Sequence, residues 1–232
     1  MSRYIAVILA GGSGTRFGAD VPKQFLEING RMLIEYAVDA FQVNPHIDEI
    51  AIVCREDFLP LVEATFRKER YSKVKRFLTG GTERYHSSLA AIEAYGDDDY
   101  LLFHDAVRPL VSQRIINDCV AALGRYDAVN VGVKAVDTII EIDAASCIVN
   151  VPQRSVLRKG QSPQGLRRSV IRRAYQIALA DPDFVTTDDC GVVVKYMPDV
   201  PVFVVEGEPV NIKVTYPQDI DLLSLYLTRS DV

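Results

Sequence analysis

Cysteine is scarce and scattered: the 232 residues hold four, Cys54, Cys119, Cys147 and Cys190, with no Cys-x-x-C pair. That spacing argues against a thiolate metal site or a disulfide framework, and each cysteine reads as a reduced core thiol of a cytosolic protein. No lysine-rich run or basic stripe occurs and the formal charge is −5, so nucleic-acid binding through phosphate contacts is not suggested. Long apolar runs are missing too. The N-terminal one, Tyr4 to Leu9, is too short for a signal or membrane helix and is needed as a strand, so a cytoplasmic location is expected. Two familiar phosphate-binding signatures fail as well. Gly14 is followed by Thr15-Arg16 rather than Lys-Ser/Thr, and the G-x-G-x-x-G series that starts at Gly12 meets Phe17 where its last glycine should stand.

What is present is an ordinary apolar fraction, 48%, with 25% charged residues, enough for one α/β domain with a good core across residues 1–232. The apolar, β-branched run Tyr4 to Leu9 reads as a buried strand of a parallel sheet. It runs straight into Ala10-Gly11-Gly12-Ser13-Gly14-Thr15-Arg16 and then Pro22-Lys23-Gln24. Gly11, Gly12 and Gly14 let backbone N–H groups approach an anion without a Cβ in the way, and the loop leaves the sheet at the carboxyl end of a strand, where open α/β sheets hold ligands. Arg16 and Lys23 would neutralise a polyphosphate from two sides.

Strand and helix patterns then alternate: strands at Glu49 to Cys54, Lys73 to Leu78, Tyr100 to Phe103, Ala128 to Val133 and Val202 to Val205, implying a doubly wound, mostly parallel sheet. A turn at Asn29-Gly30 precedes a helix with Leu33, Tyr36, Ala37, Ala40 and Phe41 on one face. A helical stretch from about Asp57 to Glu69 carries Pro60 in its first turn. Ser112 caps another helix, which Gly124 stops. Thr138 to Ile142 and Ile148 to Val151 flank Asp143-Ala144-Ala145-Ser146 and read as a β-hairpin, an arm at about 135–160 with little core of its own. Asp105, at the end of the Tyr100 strand, is placed either to hold Mg²⁺, which takes hard oxygen ligands, or to pair with Arg108. Thr187-Asp188-Asp189 reads as a helix cap. Lys213, between Ile212 and Val214, reads as a strand lysine pointing opposite to its apolar neighbours.

Leu-Ala-Gly-Gly-x-Gly-Thr-Arg with Pro-Lys-Gln, His104-Asp105-Ala106-Val107-Arg108-Pro109 and Asn211-Ile212-Lys213-Val214-Thr215 together resemble the cytidylyltransferases that act on alditol phosphates, over essentially the whole chain. The resemblance implies a Rossmann-like fold with a protruding β-arm exchanged between the subunits of a homodimer. It implies that CTP and an alditol phosphate give a CDP-alditol and pyrophosphate. Arg16, Lys23 and Lys213 would be catalytic and Asp105 would hold Mg²⁺. Ala10, Gly11, Gly12, Gly14, Gly81, Thr82 and Ser87 would bind the nucleotide, and Arg108, Thr138, Arg154 and Ser162 the acceptor, with Thr138 and Arg154 acting across the dimer. His104 is expected to be structural. Ser162 stands where the family has Thr, keeping the hydroxyl. Val107, Ala135-Val136-Asp137-Thr138-Ile139 and Gly207-Glu208 lean toward D-ribitol 5-phosphate as acceptor, serving teichoic-acid or capsule synthesis. Gly80-Gly81-Thr82-Glu83-Arg84 and Thr187-Asp188-Asp189 lean toward 2-C-methyl-D-erythritol 4-phosphate of isoprenoid synthesis. Ribitol phosphate is the expected acceptor. The alternative of another class is a catalytically silent nucleotide-binding module, since fold alone does not set function.

Overall fold

The computed structural model describes residues 2–12 and 21–229, so Gly14 and Arg16 lie outside the described residues. The chain runs through β1 (Tyr4–Ala10), a small hairpin of β2 (Glu27–Ile28) and β3 (Arg31–Met32), α1 (Leu33–Gln42), β4 (Glu49–Cys54), α2 (Leu59–Phe66) and β5 (Val74–Thr79). It continues through α3 (Arg84–Ala94), β6 (Tyr100–Asp105), α4 (Gln113–Leu123) and β7 (Ala128–Lys134). An arm of β8 (Glu141–Ile142) and β9 (Ile148–Asn150) follows, then β10 (Arg158–Arg167), α5 (Arg168–Ala178), α6 (Asp189–Tyr196), β11 (Val202–Glu206) and α7 (Gln218–Arg229).

The central sheet has seven strands in the order β11-β7-β10-β6-β1-β4-β5. Every neighbouring pair is parallel except those of β10, which runs antiparallel to both β6 and β7. Alternation along β1 divides the core. Ala6, Ile8 and Ala10 pack with apolar residues of α1, α2 and α4 on one face, and Ile5, Val7 and Leu9 with those of α3, α5 and α6 on the other. Successive strand side chains point to opposite faces, so an unbroken apolar run is what a strand covered on both sides requires. From β1 the chain moves out through β4 and β5, then returns to place β6 on the opposite side of β1. The order therefore reverses at β1 and β6, and the crevice beyond their carboxyl ends is where such sheets bind ligands.

Local signals act as expected at several joints. Asn29 and Gly30 take positive φ of 52° and 72°, the two-residue turn a tight hairpin needs. The Ser112 hydroxyl accepts the Ile115 N–H at 3.2 Å and caps α4. Glu83 is the N-cap of α3, and Asp188 caps α6 by accepting the Gly191 N–H at 2.6 Å.

Four expectations change. Residues 158–167 form β10, an interior strand of the sheet between β7 and β6, although Arg-Lys-Gly-Gln-Ser-Pro-Gln-Gly-Leu-Arg has no β-branched residue. Burial between β6 and β7 overrides composition, and Pro163 is tolerated because the register with β7 breaks between Gln161 and Gly165. Lys213 is not on a strand. Residues 211–215 are irregular, with one sheet-like bond from the Val214 N–H to the Val107 carbonyl. The arm strands are shorter than the pattern suggests, because exposed residues beyond them have no neighbour to pair with in one chain. Cys147 is exposed on the arm, whereas Cys54, Cys119 and Cys190 are buried and free. Among the described residues no helix is long and apolar enough to cross a membrane.

Candidate active site

A cavity of about 450 Å³ opens at the carboxyl ends of β1 and β6 and is lined by Leu9, Gly11, Gly12, Lys23, Gln24, Thr82, Glu83, Arg84, Ser87, Asp105, Val107, Thr187 and Lys213. Three segments far apart in sequence meet there: the glycine loop, the β5–α3 turn and the end of β6, with Lys213 arriving from the segment before α7. Leu9 and Asp105 are register partners in adjacent strands, so the glycine loop and the carboxylate necessarily emerge side by side.

The two glycine turns approach each other across Ser87, in the first turn of α3. A Cβ on Gly11 would stand 2.8 Å from the Ser87 hydroxyl, and one on Gly80 would also collide with it. Only bare backbone lets both loops close on that hydroxyl. Ala10 is buried just beneath the loop. Gly81 packs against the His86 side chain, where a Cβ would meet its Cβ and Nδ1 at 2.7 Å.

Asp105 sits among three cations. Its carboxylate lies 3.0 Å from Lys213 Nζ, 3.3 Å from Arg108 Nε and 3.9 Å from Arg84 Nε. Burial pushes its pKa up, but Lys213, then Arg84 and Arg108, outweigh that and hold the carboxyl well below the usual carboxylate range. Arg108 is itself buried, donating to the Asn211 carbonyl at 2.9 Å, and burial lowers its pKa. It braces the site from behind.

Behind Asp105 lies a polar chain with one allowed direction. The carbonyl of Arg108 can only accept, so His104 Nε2, 2.9 Å away, carries the proton. Nδ1 must then accept from the Ser162 hydroxyl at 3.0 Å, and the Ser162 oxygen accepts the Asp105 N–H at 3.1 Å. His104 is fully buried, and burial pulls its pKa from 6.5 down to about 4, so it is neutral and structural, as expected. Ser162, expected at the acceptor, is 2% exposed, and its hydroxyl is engaged in this hydrogen-bonded run.

Arg84, Glu83, Gln24, Thr187, Leu9 and Val107 also line the cavity, although the sequence reading assigned none of them a binding or catalytic role. Arg84 is anchored at 2.6 Å by Asp189, which is wholly buried and also takes the Tyr175 hydroxyl at 2.7 Å. Two signals pointed this way. Arg84 precedes Ser87 by three positions and so shares its helix face. Asp188 alone suffices to cap α6, leaving Asp189 without a reason. Thr138 and Arg154 are not brought to the cavity. Both are exposed on the arm, where Arg154 donates to the Val136 carbonyl at 3.0 Å.

A crevice at the reversal of a parallel sheet, with a glycine cradle and a carboxylate set among a cluster of cations, is the arrangement of a nucleotidyltransferase. A family model described as 2-C-methyl-D-erythritol 4-phosphate cytidylyltransferase matches residues 4–229, and the chain belongs to that family of CTP-dependent cytidylyltransferases. It is 47% identical over 94% of its length, and 90% of the relative's, to the 2-C-methyl-D-erythritol 4-phosphate cytidylyltransferase of Thermobifida fusca. It is 38% identical, over 99% of its length but 49% of the relative's, to a bifunctional ribulose 5-phosphate reductase/CDP-ribitol pyrophosphorylase of Haemophilus influenzae. Among solved structures, 4-diphosphocytidyl-2C-methyl-D-erythritol synthase of Anaerococcus prevotii superposes with a TM-score of 0.86 at 31% identity, covering 98% of this chain and 99% of that one.

Proposed function

We propose that the chain transfers the cytidylyl group of CTP to 2-C-methyl-D-erythritol 4-phosphate. The observation that carries this acceptor is the 47% identity to the T. fusca enzyme, spanning nearly the full length of both chains. The location of the discriminating residues supports it. Of the features that lean toward ribitol phosphate, Ala135–Ile139 lies on the arm, whose Thr138 reaches an acceptor only in a second copy and so does not decide between acceptors within one chain, and Glu208 is tied down by Arg114 at 2.9 Å and Ser112 at 2.9 Å. Only Val107 reaches the cavity wall, whereas Thr82, Glu83, Arg84 and Thr187, from the motifs leaning the other way, all line it. The expectation of ribitol 5-phosphate therefore becomes the second reading, supported by the 38% identity to the CDP-ribitol enzyme.

The chemistry asks little covalent work of the protein. An oxygen of the acceptor phosphate attacks the α-phosphorus of CTP, a new P–O bond forms in line, and the bond to the β-phosphate breaks to release pyrophosphate. The acceptor is its own nucleophile, so the site must suppress repulsion between anions, align them and stabilise the added charge. Lys23 and Lys213 supply positive charge at the cavity wall, as Arg16 would. Arg84, held by Asp189, has a fixed orientation and loses little freedom when it meets a phosphate.

Among the described residues no group of three or more His, Cys, Asp or Glu side chains could cage a metal. Asp105 alone fits Mg²⁺, which binds one or two carboxylates together with substrate phosphates. Asp105 would hold it, and the ion would supply charge neutralisation at the phosphates. Thr138 and Arg154 meet the acceptor phosphate from the arm of a second copy, in a homodimer.

Pyrophosphate release with CTP and Mg²⁺ tests the acceptor. Turnover with methylerythritol 4-phosphate and none with D-ribitol 5-phosphate is expected; the reverse pattern would transfer the protein to the ribitol reading.

A further inference from the structure

Gln24 closes the Pro-Lys-Gln segment, in the short turn Lys23–Phe25. Its side chain is 2% exposed, and its amide nitrogen sits 2.6 Å from the Ala10 carbonyl and 3.0 Å from the Gly12 carbonyl. Carbonyl oxygens can only accept, so the NH₂ of the amide must face both, one hydrogen to each. One side chain thereby grips the glycine loop on either side of Gly11.

A loop that cradles polyphosphate works by presenting N–H groups and withholding carbonyls, whose oxygens repel phosphate oxygens. A trans peptide holds its C=O and N–H on opposite sides, so fixing the Ala10 carbonyl on Gln24 turns the Gly11 N–H away from that bond. Glycines cannot hold such an arrangement unaided, because they resist few backbone conformations. We infer that Gln24 is a positioning residue for the nucleotide: its amide clamps the Ala10 and Gly12 carbonyls so that the glycine loop is set for the CTP triphosphate before CTP arrives. Lys23 and Gln24 thus divide the work of one turn, the first supplying charge at the cavity wall and the second shaping the loop. The clamp rests on the assignment of CTP to the glycine loop and predicts an effect on CTP, with the acceptor spared.

Calorimetry suits the test because the chain has no tryptophan. Gln24→Met keeps the length and removes both donors without adding charge. Its dissociation constant for CTP should rise about tenfold, the size of one or two lost hydrogen bonds, while KM for the acceptor stays within about twofold. Gln24→Glu sets an anion against two carbonyls and should bind CTP more weakly still. Lowering the pH from about 8 to about 5.5 should restore at least about threefold of that loss relative to the parent, because a protonated carboxyl again donates to a carbonyl. That recovery is read on the Glu variant alone, so it decides the matter even if the Met variant does not fold. CTP affinity in Gln24→Met within about twofold of the parent, or no recovery in Gln24→Glu, overturns the clamp. A parent protein that does not bind CTP at all overturns the nucleotide assignment itself, and the clamp with it.

Discussion

At the scale of single residues, the site depends on groups whose charge state is set by burial and neighbours. His104 shows this most directly. Its pKa lies at about 4 in the folded chain against 6.5 ordinarily, so below about pH 6.5 the unfolded chain takes up a proton that the folded chain refuses. Its contribution to stability is complete above that value and declines as the pH falls toward 4, by about 3 kcal/mol in all. Urea unfolding at pH 7 and pH 5 should show the parent losing about 2 kcal/mol more than His104→Gln over that interval. Equal losses would mean that His104 titrates normally. Ser162 carries the next link. Replacing it with Ala leaves His104 Nδ1 and the Asp105 N–H without partners and should cost about 1–3 kcal/mol, whereas Ser162→Thr should restore most of it. Chemical denaturation of the two variants compares them directly.

At the scale of elements, β10 is the least legible part of the sequence and among the most constrained in the structure. Its polar residues give no strand periodicity because they serve neighbours: Gln161 donates to the Glu208 carbonyl at 2.8 Å, and Gln164 accepts the Asp189 N–H at 3.0 Å. Gly165 is where β10 presses hardest. A Cβ there would stand 2.8 Å from Val129 Cγ2 and 2.9 Å from Leu123 Cδ1, both in a packed core. Gly165→Ala should therefore destabilise by about 1–3 kcal/mol through overpacking. Gly160→Ala, in the same strand with nothing within 4 Å of the added methyl, should be nearly neutral. Thermal unfolding of the pair separates a close-approach glycine from a permissive one. The segment around Lys213 teaches a related lesson. Val214 is buried and Lys213 reaches Asp105, so the alternation expected of a strand survives, although a single backbone bond replaces the ladder.

For the whole molecule, the arm is the part that one chain leaves unfinished. Ile139, Ile140, Ile142, Ile148, Val149, Val151 and Val156 are 43–73% exposed, and a two-stranded hairpin has little independent stability in water. A covering partner copy would account for both facts and would carry Thr138 and Arg154 to a cavity they do not reach in their own chain. Replacing residues 139–150 by a short Gly-Ser link should halve the mass seen in sedimentation, leave CTP binding intact and lower kcat by at least about tenfold through loss of acceptor alignment. A parent chain that sediments as a monomer would sink the exchange of arms.

Local chemistry determined a good deal of this protein without help from tertiary structure. Apolar runs bounded by turns defined β1, β4, β6, β7 and β11, and capping residues placed the starts of α4 and α6. The glycine loop and Lys23 were legible because polyphosphate binding needs bare backbone and cations, whatever surrounds them, whereas the roles expected of Asp105 and Lys213 came from the family resemblance. Tertiary structure decided the rest. Only the packed sheet could show that a polar decapeptide forms one of its interior strands, that Ser162 turns inward, and that Asp189 is spent on Arg84. Each of those outcomes depends on which distant groups share a buried space, and periodicity along a chain carries no record of that.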